Sequence, residues 1–144
     1  MRAFTLSVLN DLQALEQMLK SGMFEENVRR IGAEQEMFLV DSAYRPAPLA
    51  LDVIGKAKDG RLTTEIGLFN LEANLTPLEF SGNCFRAMED ELNEVLGLVR
   101  KAAAGFGGGV VLAGILPTIQ KSDLTSANLT PHPRYYEIDR IVTE

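Results

Sequence analysis

From Leu71 to Thr76 the chain alternates strictly. Leu71, Ala73 and Leu75 are apolar, whereas Glu72, Asn74 and Thr76 are polar. Successive side chains of a strand point to opposite faces, so the segment predicts a strand with an apolar back and a polar front. A parallel sheet buried on both faces would carry a continuous apolar run instead. The alternation therefore predicts an antiparallel sheet with one face open to solvent or ligand. The helical patterns elsewhere must cover the other face, which gives an α+β fold with helices packed on the apolar side.

Those patterns are clear. Leu9, Leu12, Leu15, Met18 and Leu19 recur at helical spacing before Lys20-Ser21-Gly22, which predicts a helix over roughly 7–21. A strand is expected over about 30–41, followed by a loop, Asp41–Pro48, whose two prolines break any ladder. A short helix is expected over 50–57 and a turn at Lys58-Asp59-Gly60. Residues 62–76 read as one or two strands. Ser81-Gly82-Asn83 then opens the longest helix, with Phe85, Met88, Leu92, Val95, Leu96 and Val99 as its stripe and Gly105 as its stop. Val110–Leu116 reads as a buried strand and 117–132 as a polar loop. A further helix starts at Arg134, and the chain ends inside it with no stop signal.

Composition narrows the function. With 144 residues and 46% apolar content, the chain suits one domain or a piece of a larger one. A net charge of −6 argues against a nucleic-acid partner, which needs a basic footprint. Cys84 is the only cysteine, so an intrachain disulfide and a multi-cysteine zinc site are excluded. His132, the only histidine, lies between Pro131 and Pro133 and reads as a loop residue. Gly105–Gly109 lacks the Gly-Lys-Ser/Thr ending of a phosphate loop and leads into a strand. The N-terminus does not have the organisation of a signal peptide, and no apolar run approaches the roughly 20 residues that span a bilayer. A cytoplasmic protein with no membrane partner is the expectation.

Two acidic pairs remain. Glu34 and Glu36 alternate on the predicted first strand and should point together; Glu65 and Glu72 both lie within the second strand region, 62–76. Like charges on one sheet face repel, and a divalent cation is a natural counter-charge. A solvated acidic surface would carry the same residues.

Gly32-x-Glu34-x-Glu36 on an early strand, then Glu65-x6-Glu72 with Thr76-Pro77, resembles the glutamate–cysteine ligase and carboxylate–amine ligase family. The helix near 83–104, the strand at Val110–Leu116 and Pro133-Arg134-Tyr135 follow in that family's order. The resemblance implies a partial glutamine-synthetase-like catalytic domain, with a curved, mainly antiparallel sheet holding divalent ions and ATP on its concave face. It implies an ATP- and Mg-dependent ligase. ATP would phosphorylate a carboxylate, typically the γ-carboxylate of glutamate, and an amine such as that of cysteine would displace phosphate to form an amide. By position, Glu34, Glu36, Glu65 and Glu72 become ligands for Mg (or Mn), Asn74 and Thr76 contacts for nucleotide, and Arg134 a substrate contact. Thr76 stands four residues after Glu72, where the family pattern has three.

The family's later histidine-bearing strand has no counterpart here. Residues 1–27 are accordingly expected to form an N-terminal helix and linker, and 28–144 the N-terminal portion of one ligase domain, incomplete by itself. A partial sheet leaves an unpaired edge, so a homo-oligomer is expected. The alternatives are a non-catalytic metal- or nucleotide-binding domain of the same fold, and a plain α+β interaction module.

Overall fold

The computed structural model describes residues 2–143. The chain divides into two units, Met1–Arg30 and Ile31–Glu144. The first is α1 (Arg2–Lys20), an amphipathic helix with none of its residues buried. It closes on a hydrogen-bonded reversal, with Gly22 N–H to Leu19 O at 3.2 Å and Met23 N–H to Met18 O at 3.1 Å. Gly22 takes φ +62 there, a left-handed conformation in which a side chain would be strained.

The second unit is built on a four-stranded antiparallel sheet. Its members are β2 (Glu34–Val40), β3 (Leu62–Thr64), β4 (Asn70–Asn74) and β6 (Gly109–Val111), in the order β3-β4-β2-β6. The two-residue strands β1 (Arg30–Ile31) and β5 (Leu78–Glu79) pair with each other outside it. The strand expected over about 30–41 is thus two strands, because the chain changes partners at Gly32-Ala33. The fold is α+β, as the alternation predicts.

Helices α2 (Ala50–Ala57) and α3 (Cys84–Ala104) cover the apolar face. Met37, Leu39, Leu71 and Ala73 from the sheet are fully buried against Val53, Val95, Val99 and Ala103 from the helices. The α3 stripe is used along its C-terminal part, where Leu92 also packs against the core. Val95, Leu96 and Val99 enter the core, while Phe85 stays exposed and meets the Phe80 ring edge-on at 5.7 Å. Beyond α3, Gly107 at φ +74 turns the chain so that Gly108 N–H reaches Ala103 O at 3.0 Å.

The strand expected over Val110–Leu116 is shorter than its apolar run. Pairing with β2 stops at the Phe38–Val111 rung. Leu112 and Ile115 lie exposed in the irregular segment that follows, where Gly114 and Pro117 interrupt a ladder. Leu116 turns back and is buried with Phe38, Val40 and Phe69. Two 3-10 turns, Lys121–Asp123 and Ser126–Asn128, lead to α4 (Pro133–Thr143), which opens on the proline as a first helical residue can. Glu144, where the sequence leaves this helix open, lies outside the described residues. Among the described residues no helix is long and apolar enough to cross a membrane.

Candidate active site

Register decides which side chains meet. Glu36 of β2 stands directly opposite Glu72 of β4, and Thr63 of β3 stands opposite Glu72 from the other side. Directly paired residues share a face, so Thr63, Glu72 and Glu36 form one row across three strands. Glu34 faces Asn74 one rung along. The same face of β2 continues into Phe38 and Val40, which are buried under Leu116 and Phe69. The open side of the sheet is therefore acidic at one end and apolar at the other.

Glu65 joins the row from the turn between β3 and β4. This turn is pinned by the loop before α4. Thr130 Oγ1 donates to Glu65 O at 2.5 Å, Thr130 N–H to Ile66 O at 2.8 Å, and Leu68 N–H to Asn128 O at 2.8 Å. Thr130 is itself buried. The result places one carboxylate oxygen each from Glu36, Glu65 and Glu72 within 4.8 Å of one another. Asn74 Nδ2 at 2.8 Å and Thr63 Oγ1 at 3.3 Å both donate to Glu72 Oε1, fixing that carboxylate.

The cluster is electrostatically costly. Burial, then the negative charges of Glu72 and Glu36, push the Glu65 carboxyl above its ordinary value. A carboxyl whose folded-state pKa is raised stabilises the fold below its unfolded value, and that contribution is lost as pH rises through the folded value. Glu65→Gln removes this loss. The metal-free variant is expected to be more stable than the wild type at pH 7, and the difference should vanish as pH falls below the ordinary Glu range. Urea unfolding of both proteins across pH checks it; a difference independent of pH would contradict it.

The remaining expected site residues are placed as follows. Glu34 is exposed and lines a separate groove of about 530 Å3 beside Arg61 and Thr76. Thr76 lies beyond the end of β4, with its hydroxyl donating to Glu91 Oε1 at 2.8 Å and its amide to Glu91 Oε2 at 3.1 Å. Its polar group is thus turned to α3 and not to the face of Glu72. Arg134 is exposed at the start of α4, its amide bonded to His132 Nδ1 at 3.2 Å.

Sequence reasoning passes over Thr63, whose signal was available: it lies at the strand period beside an acidic partner strand. It also passes over Arg61, which joins Asp59 at 2.6 Å, Glu94 at 2.7 Å and Glu91 at 3.3 Å. The Arg61 hydrogen bonds hold the Asp59 carboxyl at about 2, well below the usual carboxylate range. This network ties the Lys58–Gly60 turn to α3 at the edge of the site.

Against this geometry, the model of glutamate–cysteine ligase family 2 matches residues 30–143, and the chain belongs to that family. No curated protein and no solved structure gives a significant match. Membership makes the chain part of a ligase-type protein, as the motif resemblance implies. The match begins where α1 and its linker end.

Proposed function

We propose that this chain supplies the dication-holding face of an ATP-dependent carboxylate–amine ligase. The observation that carries the reading is the Glu36–Glu65–Glu72 triad on the open face of an antiparallel sheet, in a chain of the glutamate–cysteine ligase family.

The donor set fits Mg or Mn. These ions take carboxylate oxygens, at roughly 2.0–2.1 Å for Mg, so opposite ligands stand roughly 4 Å apart. The three carboxylates, within 4.8 Å of one another, would need only a small side-chain movement to close on one ion. Thr63 and Asn74 would orient Glu72 as outer partners, a role that commonly sustains metal affinity. Once bound, such ions neutralise the charge of a transferring phosphoryl group.

The protein's own part is positioning. Glu36, Glu65 and Glu72 would set where the ATP phosphates lie over the sheet. Glu34 and Asn74, one rung further, extend the polar face toward the nucleotide or acid substrate. Arg134 is retained as an anion contact. The acid would be activated as an acyl phosphate and captured by an amine, with glutamate and cysteine the pair that the family name suggests. A reduced, cytoplasmic setting suits the single free thiol of Cys84, which is buried.

The test uses the intact protein that contains this sequence. With Mg2+, ATP, glutamate and a panel of amines, ADP and amide should appear in equal amounts. Glu72→Gln should suppress both across the whole Mg2+ range while leaving the fold intact. ATP-independent product, or full activity of Glu72→Gln at every Mg2+ concentration, would refute the proposal.

A further inference from the structure

The three carboxylates of the triad reach it by different routes. Glu36 and Glu72 are direct cross-strand partners, so the ladder itself brings them together. Glu65 follows the last residue of β3, where the ladder has ended. Its place is set by a segment far along the chain. Thr130 donates twice to the turn, from its hydroxyl to Glu65 O and from its amide to Ile66 O. Gly67 and Leu129 form an isolated antiparallel bridge, and Leu68 N–H reaches Asn128 O at 2.8 Å. Three consecutive residues, 128–130, thus hold four consecutive residues, 65–68. Turn and segment also wall a cavity of about 610 Å3, whose lining includes Glu36, Glu65 and Ile115.

The holding segment is itself anchored. Asn128 Nδ2 donates to Asp123 O at 2.8 Å. The Asp123 carboxylate accepts from Gln120 N–H at 2.8 Å and from Arg45 Nη2 at 3.1 Å. Arg45 belongs to the loop after β2, so the segment is tied back to the strand that carries Glu36. Thr130 is, among the described residues, the one polar residue that is buried, at 4% exposed. A buried hydroxyl is costly unless it is bonded, and its partner here is the carbonyl of the residue that brings the third carboxylate. Valine would fill the same space without the donor. The hydroxyl therefore adds direction to packing: it fixes the Glu65 peptide plane, and with it the line along which that side chain departs.

Resting on the metal reading above, we propose that Thr130 is a positioning residue for the divalent cation. It does not touch the ion. It holds the Glu65 carboxylate where Glu36 and Glu72 already meet. Two ligands are set by the register of the sheet and the third by a hydrogen bond from the segment before α4. Metal affinity is then governed by the 120–130 segment. Whatever draws that segment off the turn opens the coordination shell and leaves the sheet intact.

The test compares Thr130→Val, Thr130→Ser and Val99→Ala with the wild type at a temperature where all stay folded. Val99 is a fully buried core residue of α3, so its truncation lowers stability away from the turn. Calorimetry with Mn2+ should show Thr130→Val weakened about tenfold, the effect typical of losing an outer partner, and Thr130→Ser restored to near the wild-type value. Val99→Ala should bind as the wild type does, although it is less stable. The 13C carboxylate resonances add a signature during an Mg2+ titration: in Thr130→Val those of Glu36 and Glu72 still shift, and that of Glu65 does not. An affinity of Thr130→Val equal to the wild type's, no recovery in Thr130→Ser, or equal weakening by Val99→Ala would overturn the inference. If Thr130→Val does not fold, Asn128→Ala, which frees the segment from Asp123, should weaken Mn2+ in the same direction, and unchanged affinity would again overturn it. Wild-type binding of Mn2+ with indifference to Thr130 removes this inference alone, whereas no binding by the wild type removes the metal reading and this inference with it.

Discussion

Glu72→Gln is expected to make the metal-free protein more stable and to cut its divalent-metal affinity by at least about tenfold. The stability gain follows from register. Glu36 and Glu72 are direct cross-strand partners, and like charges so placed cost roughly 0.2–1 kcal/mol. The amide oxygen of Gln can still accept from Asn74 and Thr63, so the hydrogen bonds at that rung survive. The affinity loss follows from chemistry. Loss of an outer partner of a metal ligand typically costs 10–100-fold, and loss of an anionic ligand should cost no less. Thermal unfolding without metal and calorimetry with Mn2+ check the two halves. A large loss of metal-free stability would mark Glu72 as structural and weaken the metal reading of the whole triad.

Leu71→Ala is expected to destabilise the fold by about 2–5 kcal/mol, the range for emptying a packed core site. Leu71 is fully buried, paired with Met37 on one side and Thr64 on the other. It neighbours Glu72 in the chain but points to the opposite face, so its loss empties the core behind the site. Urea unfolding should show a lower midpoint with an unchanged slope. A cost below about 1 kcal/mol would mean that the helical layer is not closed over this strand.

The contrast between these two neighbours was legible in the sequence. Alternation at 71–76 separates a core residue from a site residue without further information, and helical spacing does the same for Val95 and Val99. What alternation cannot supply is register. Glu34 and Glu36 are equivalent on their strand, yet Glu36 meets Glu72 while Glu34 meets Asn74. A slip of two residues would set Glu34 opposite Glu72 and Glu36 opposite Asn70, and keep every side chain on its face.

Other features depend on contacts distant in the chain. Glu65 reaches the row only because Thr130 and Asn128, more than 60 residues away, hold its turn. The apolar run at 110–116 reads as one strand, but only its start finds a partner, and its end becomes a cavity wall. Thr76 continues the polar alternation on paper, whereas its hydrogen bonds to Glu91 draw it to α3. For Glu65 and Thr76 the deciding contact is a hydrogen bond that no local pattern encodes; for the 110–116 run it is where pairing with β2 stops.

The central claim is that Glu36, Glu65 and Glu72 together hold a divalent cation, and paramagnetic broadening by Mn2+ tests it most directly. In a titration followed residue by residue, the amide resonances of Glu36, Glu65, Glu72 and their strand neighbours should broaden first, at less than one equivalent. Those of the exposed acids Glu89 and Asp90 on α3 should persist, and Glu36→Gln should remove the early broadening. Broadening that begins on α3, or that spreads evenly over all acidic residues and is indifferent to Glu36→Gln, would contradict the account.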